Sequence, residues 1–229
     1  ISIRLTGAGA GKGGNDGNIG GNPGPAGQVS GTLNVVAGDV LTFYLGSRGA
    51  DGKTSQGGGA GAPGNDGGYP DADLSGGSGG NAGAIGWSGG GGGGGGAATL
   101  VMVRGGVTNL VAVAAGAGGG GGAGYQPAGL PGLTGNLRTG SNPTGENSVG
   151  PGGPDGGGGG GGGGGWPTGG KSGGISVFKD REWYGLGGSA GANFTSGLVD
   201  ARAVYVPNAG HAMGSISFGV DLLISGVIS

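Results

Sequence analysis

Residues 156–165 read GGGGGGGGGG and residues 89–96 read GGGGGGGG, and the fate of these two runs decides the fold. Glycine has no side chain to bury and loses more backbone freedom on folding than any other residue. Neither a helix, nor an ordinary sheet, nor a packed side-chain core can be built from such runs. With glycine at 76 of 229 positions, the chain is either disordered or held by a lattice of backbone contacts. Disorder goes with few strand-forming residues and high net charge. Here the net charge is −2, charged residues are 10% and hydrophobic residues 33%. The apolar residues are gathered into bounded stretches at 28–45, 97–115, 175–183 and 198–206, with a further apolar segment at 216–228. Strand-forming runs separated by turn chemistry describe a folded chain. Collagen would need glycine at every third place over a long span, and this chain breaks phase repeatedly.

A period of three nevertheless persists in short pieces: Gly11, Gly14, Gly17 and Gly20; Gly58, Gly61, Gly64 and Gly67; Gly77, Gly80, Gly83 and Gly86; Gly129, Gly132 and Gly135. Three residues per turn is the polyproline II period, in which every N–H and C=O points outward. Side by side, such helices bond to one another, and glycine at each contact lets the backbones close up. At ~3.1 Å per residue, eight to ten glycines span roughly 25–31 Å, enough to cross once a body whose radius of gyration is about 17 Å. The expected fold is mainly irregular and β: a sandwich of stacked polyglycine II helices with short β-hairpins, long surface loops and essentially no α-helix. Gly89, Gly92, Gly95, Gly156, Gly159, Gly162 and Gly165 are its expected scaffold positions.

Around the glycine tracts the chain alternates. Ile1–Leu5 reads as a strand, and with no initiator Met the chain is expected to be a trimmed or processed piece of something longer. Val29–Leu45 reads as two short strands about a turn at Ala37-Gly38-Asp39. Residues 97–115 read as a hairpin with its corner at Arg104-Gly105-Gly106. Tyr125–Val149 mixes polar residues and prolines between two glycine tracts and reads as a long surface loop. Trp166–Lys171 reads as a short loop after the ten-glycine run. The expected division is a glycine-rich domain, 1–174, with a β-rich segment, 175–229, packed on it.

Several chemistries are excluded. No cysteine is present and His211 is the only histidine, so disulfides, thiolate metal sites and multi-histidine sites are impossible. No run of eighteen apolar residues spans a membrane. Gly9-x-Gly11-x-x-Gly14 matches a dinucleotide fingerprint formally, but no βαβ unit follows it; Gly11-Lys12-Gly13 lacks the hydroxyl residue of a P-loop. No nucleophile elbow accompanies His211. Asn15-Asp16-Gly17 and Asn65-Asp66-Gly67 carry oxygen ligands that a calcium ion could use, but their ligand count is low and turn formation explains them equally well. No cofactor, metal, nucleic acid or enzymatic activity is expected.

The order of parts is a glycine tract, then GQVSGTLNVVAGDVLTFYLGSRGADG, then triplets, then SGGGGGGGGAATLVMVRGGVTNLVAVAAGAGGGGGAGY. This layout, over roughly residues 1–165, resembles the glycine-rich domain of phage tail-fibre and tail-tip adhesins. The resemblance implies stacked polyglycine II helices whose connecting loops contact a bacterial surface receptor, protein or glycan. It also implies other tail-fibre or tail-tip subunits as partners, and a location on the virion.

Within that reading, Tyr125, Trp166, Trp183 and Tyr184 stand at the edges of glycine tracts. Aromatic side chains supply large contact area at low entropy cost. They serve either recognition or as apolar caps on the glycine layers, while Trp87 reads as a cap. Arg138 and Lys171, placed in the expected loops, complete the candidate receptor-binding set as partners for anionic sugars or acidic loops. Two other function classes fit less of the chain. One is a structural tail or filament subunit without receptor binding. The other is an ice-binding protein, which would need a flat regular face that the mixed triplet positions do not offer.

Overall fold

The computed structural model describes residues 1–53, 74–81, 89–124, 129, 156–177, 183–207 and 210–219. Among these residues there is no helix. The described residues form nine strands in three sheets, all antiparallel. They are β1 (Ser2–Thr6), β2 (Ala26–Thr32), β3 (Val40–Leu45), β4 (Ala98–Arg104), β5 (Val107–Ala114), β6 (Ile175–Val177), β7 (Trp183–Gly185), β8 (Val199–Val206) and β9 (Met213–Ser217). One sheet has the order β8-β2-β1-β9, a second β3-β4-β5, and a two-stranded sheet pairs β6 with β7.

Alternation explains the first sheet. Ile3 and Leu5 are buried while Ser2 and Arg4 are exposed, the period of two that a half-buried strand requires. Ile3 and Leu5 join Val29, Leu100, Val111 and the small Ala98, Ala112 and Ala114 in one apolar cluster, flanked by Leu41, Phe43 and Met102. The four-stranded and three-stranded sheets thus pack their inner faces together, and burying each of the larger side chains contributes roughly 1.5–3 kcal/mol. The β4–β5 hairpin turns at Gly105 and Gly106, with φ of 58° and 79°. Positive φ at both central residues defines the turn that matches strand twist, and glycine takes it without strain.

Two local expectations are corrected. The strands at 26–32 and 40–45 both form, but they do not pair with each other. β2 pairs with β1 and β8, and β3 with β4, because residues 33–39 carry the chain from one sheet to the other. Trp166–Lys171 is not a loop to its end: the chain bends at Trp166-Pro167, across a cis peptide, and residues 168–174 then rejoin the glycine lattice. After residue 174 the chain adds β8 and β9 to the sheet of β1 and β2 and the run 185–192 to the lattice.

The glycine tracts lie side by side and are joined through their main chains. The run 89–97 shows the rule. Gly89, Gly92 and Gly95 donate to the carbonyls of Ala123, Gly120 and Ala117; Gly90, Gly93 and Gly96 donate to Lys53, Ala50 and Ser47; Gly91, Gly94 and Ala97 donate to Gly80, Gly77 and Leu74, all at 2.8–3.1 Å. Every third amide therefore faces the same neighbour. The carbonyls of Gly90, Gly93 and Gly96 accept from Gly14, Gly11 and Ala8, and those of Gly89, Gly92 and Gly95 accept from Gly158, Gly161 and Gly164. Falling residue numbers against rising ones show that 89–97 runs antiparallel to 7–14, 46–53, 74–81 and 115–124, and parallel to 156–165. Buried backbone groups need such partners; each bond contributes roughly 0.5–1.5 kcal/mol net against about 1–2 kcal/mol of backbone entropy per residue.

How many neighbours a run has sets how much glycine it needs. An added Cβ at Gly89, Gly91, Gly92, Gly94 or Gly95 would lie 1.8–2.3 Å from a carbonyl oxygen of an adjoining run. The same holds, at 1.9–2.2 Å, for Gly157, Gly158, Gly160, Gly161, Gly163 and Gly164. Among the expected scaffold positions in that run, Gly159 and Gly162 accept bonds from Gly80 and Gly77. Gly156 is closed off by Trp183, and Gly165 by the backbone of Gly191 and Ala192. Outer runs need glycine only where they face inward. In 46–53 the glycines are Gly46, Gly49 and Gly52, while Arg48, Asp51 and Lys53 occupy the remaining space.

Candidate functional site

The runs have two distinct ends. At one, the chain passes from Gly7, Gly27, Gly46, Ala97 and Ala115 into β1, β2, β3, β4 and β5, so the β-sandwich sits there. At the other stand Gly14, Gly20, Lys53, Gly80, Gly89, Ala123, Gly156 and Gly174, joined level by level through the bonds of the lattice. The segments 82–88 and 125–155 begin and end at this second end, and β6–β7 caps it.

Local chemistry at the second end is polar. Asn15 Oδ1 accepts from the Gly20 amide at 2.9 Å, and the backbones of Asp16 and Asn18 bond reciprocally with Gly17 at φ 54°. Asn15-Asp16-Gly17 thus builds a tight reversal, and among the described residues no group of three acidic or histidine side chains gathers as for a metal. Ile19 is 62% exposed beside this reversal, and its carbonyl accepts from Gly129 at 3.1 Å. A groove of about 360 Å³ opens along the neighbouring runs, lined by Lys12, Asn15, Asp51 and Lys53 with the backbone of Gly13, Gly14 and Gly52. Asp51 accepts from the Lys12 amide at 2.8 Å and pairs with Arg48 at 2.5 Å.

The candidate residues separate between the two ends. Trp183 and Tyr184, both half-buried, belong to β7 at this second end, where the Trp183 carbonyl accepts from Gly157 at 3.1 Å. Trp166 is one run-length away, roughly 30 Å for ten extended residues. It packs on Leu74, Ala97 and Val113 beside Leu110 and Phe194, where it closes the sandwich end of the glycine layers. Lys171 is exposed, but on the run 168–174 rather than in a loop. Its carbonyl accepts from Ser189, its amide donates to Ser189 Oγ at 2.9 Å, and its flanking Gly170 and Gly173 face inward against the carbonyls of Ser189 and Leu186. Tyr125, Arg138 and the expected loop 125–149 lie outside the described residues, apart from Gly129, as do Trp87 and Asn65-Asp66-Gly67. His211 is exposed near the sandwich, its Nδ1 facing the Arg48 amide at 3.3 Å.

Sequence reasoning missed Lys12, Asn15 and Lys53 as neighbours. Lys12 and Lys53 are 41 positions apart, and only the bond from Gly52 to the Lys12 carbonyl brings their runs together. No protein-family model matches the chain, and no curated protein sequence matches it.

Proposed function

We propose that this chain is a phage tail-fibre or tail-tip adhesin that recognises a bacterial surface receptor, protein or glycan, through the end of the molecule opposite its β-sandwich. The lattice runs are, in this reading, polyglycine II helices, and the three-residue bonding repeat of 89–97 supports that assignment. One observation carries the functional reading: the segments between Asn81 and Gly89 and between Gly124 and Gly156 both leave and re-enter at the same end of a backbone-bonded bundle. A rigid frame with compositionally varied connections at one end is the arrangement in which recognition changes without disturbing the frame. Trp183 and Tyr184 at that end, with Tyr125 and Arg138 of the segment between Gly124 and Gly156, are the proposed contact residues. Other tail subunits are its proposed partners, and the virion surface its place.

Replacing residues 125–149 with a short Gly/Ser linker tests the proposal. The variant loses the Gly129 bond to Ile19 but should still unfold in one cooperative thermal transition, and it should lose binding to host cells. Undiminished cell binding would remove the segment from recognition, and no cell binding by the intact chain would favour a structural tail subunit instead.

A further inference from the structure

The outer face of the four-stranded sheet belongs to neither the lattice nor the end opposite the sandwich. With Ile3 and Leu5 inward, Ser2 and Arg4 of β1 are exposed, while Thr6 on the same face is buried, and the register aligns these positions in rows. Arg202, Ser30, Arg4 and Ser215 form one row across β8, β2, β1 and β9; Val204, Gln28, Thr6 and Met213 form the next. The Gln28 side-chain amide donates to Thr6 Oγ1 at 3.1 Å, fixing the centre of the face. A shallow groove of about 370 Å³ runs beside it, lined by Arg4, Thr6, Gln28, Met213, Gly214 and Ser215.

Arg4 and Arg202 are exposed, flank Ser30, and stand two strand spacings apart, roughly 10 Å between Cα atoms. Neither has an ion pair among the described residues, whose arginine pairs are Arg48–Asp51 and Arg104–Asp39. Asp200 is two residues from Arg202, at a bulge in β8 with φ 50°, and makes no ion pair with it. Two guanidiniums on rigid strands present forked donors to a carboxylate or phosphate. Between and beside them lie hydroxyl and amide side chains suited to sugar hydroxyls.

We infer that this face binds an anionic saccharide: the arginines take its carboxylate or phosphate, Ser30, Ser215 and Gln28 bond its hydroxyls, and the 57% exposed Met213 packs on a ring face. Two cations on a chain of net charge −2 are too few for nucleic acid, whose binding rests on many phosphate contacts. A face without an aromatic anchor is also poorly made for a protein partner.

Isothermal titration of the whole chain with a short oligogalacturonate, a hexose phosphate, neutral dextran fragments, inorganic phosphate, an acidic peptide and a DNA oligomer tests the inference. Saturable binding of a charged sugar is expected, weakening with salt and falling about tenfold or more in each of Arg4→Gln and Arg202→Gln. Lys12→Gln, on the opposite end, should leave it unchanged. Both arginine variants alter outward side chains, and an unchanged thermal midpoint establishes that they fold. Equal binding by the variants, no binding of either charged sugar at millimolar concentration, or tighter binding of free phosphate, peptide or DNA would each overturn it. Because the readout is purified saccharide on the sheet face, it is independent of cell binding through residues 125–149.

Discussion

A Cβ placed on Gly92 would lie 2.2 Å from the carbonyl oxygen of Gly11, and that carbonyl is itself bonded to the amide of Gly120 at 3.0 Å. Three runs therefore meet at one point with no space for a methyl group. Gly92→Ala should force the runs apart, costing about 3 kcal/mol or more from overpacking and weakened bonds. Gly161→Ala, whose Cβ would lie 2.2 Å from the Gly77 oxygen, should behave alike. Gly174→Ala meets nothing within 4 Å and should change stability by no more than about 1 kcal/mol. Denaturant unfolding of the three variants checks the contrast.

Amide exchange should divide the chain in an unusual way. The buried and bonded amides of 89–97 and of Gly158, Gly161 and Gly164 should be as protected as those of Leu5 and Leu100 in the sandwich, since each is buried and paired. Protection should show no decline toward the middle of the glycine runs. Exchange as fast as in an unstructured peptide would mean that the lattice does not hold in solution.

These expectations also show what could be read before any coordinates. The buried glycine runs, the 98–114 hairpin and most strand positions follow from local chemistry, because glycine content and two-residue alternation report burial directly. Pairing does not: β1 meets β9 across more than two hundred positions, and nothing in the Ile1–Leu5 pattern names Met213–Ser217. Nor could the aromatics be sorted. Trp166 and Trp183 both border the run 156–165, and only its direction across the body assigns one to each end.

Trp166→Ala should accordingly act on stability. It removes the ring packed on Leu74, Ala97 and Val113, at a cost of about 2–3 kcal/mol for a partly buried site. Receptor affinity of the folded fraction should hold. Trp183→Ala and Tyr184→Ala should lower cell binding, and measuring midpoint and binding on all three separates cap from contact.

Asn193 links the sandwich to the lattice: its Oδ1 accepts from the Ala115 amide at 2.9 Å. Asn193→Ala leaves that buried amide without its acceptor, and should cost about 1–3 kcal/mol. Asn193→Asp keeps an acceptor and should recover most of the loss, by the same unfolding assay.

The pH response should carry one step on the acid side and one on the alkaline side. The Arg104 guanidinium, with help from the Val36 amide, lowers the Asp39 carboxyl to about 2. The folded form is thus favoured by the ionised carboxylate above about pH 4, and this contribution fades as pH falls from there toward 2. Burial raises the Tyr205 phenol, whose hydroxyl donates to the Gly191 carbonyl at 2.7 Å. Stability should therefore drop again above about pH 10, where the unfolded phenol ionises first. Asp39→Asn should abolish the acid-side step and Tyr205→Phe the alkaline one, each followed by thermal midpoint against pH.

The side chains on the outer runs have a second consequence. A stack joined only through its main chain has no natural limit sideways, since any glycine strand of matching period could be added at its flank. Arg48, Asp51, Lys53 and Lys171 stand where the next strand would dock, and their bulk and charge close the stack to newcomers. Trimming them to glycine would turn a finite particle into a seed for lateral growth, so the few bulky residues in these tracts set the size of the object as firmly as the glycines set its spacing.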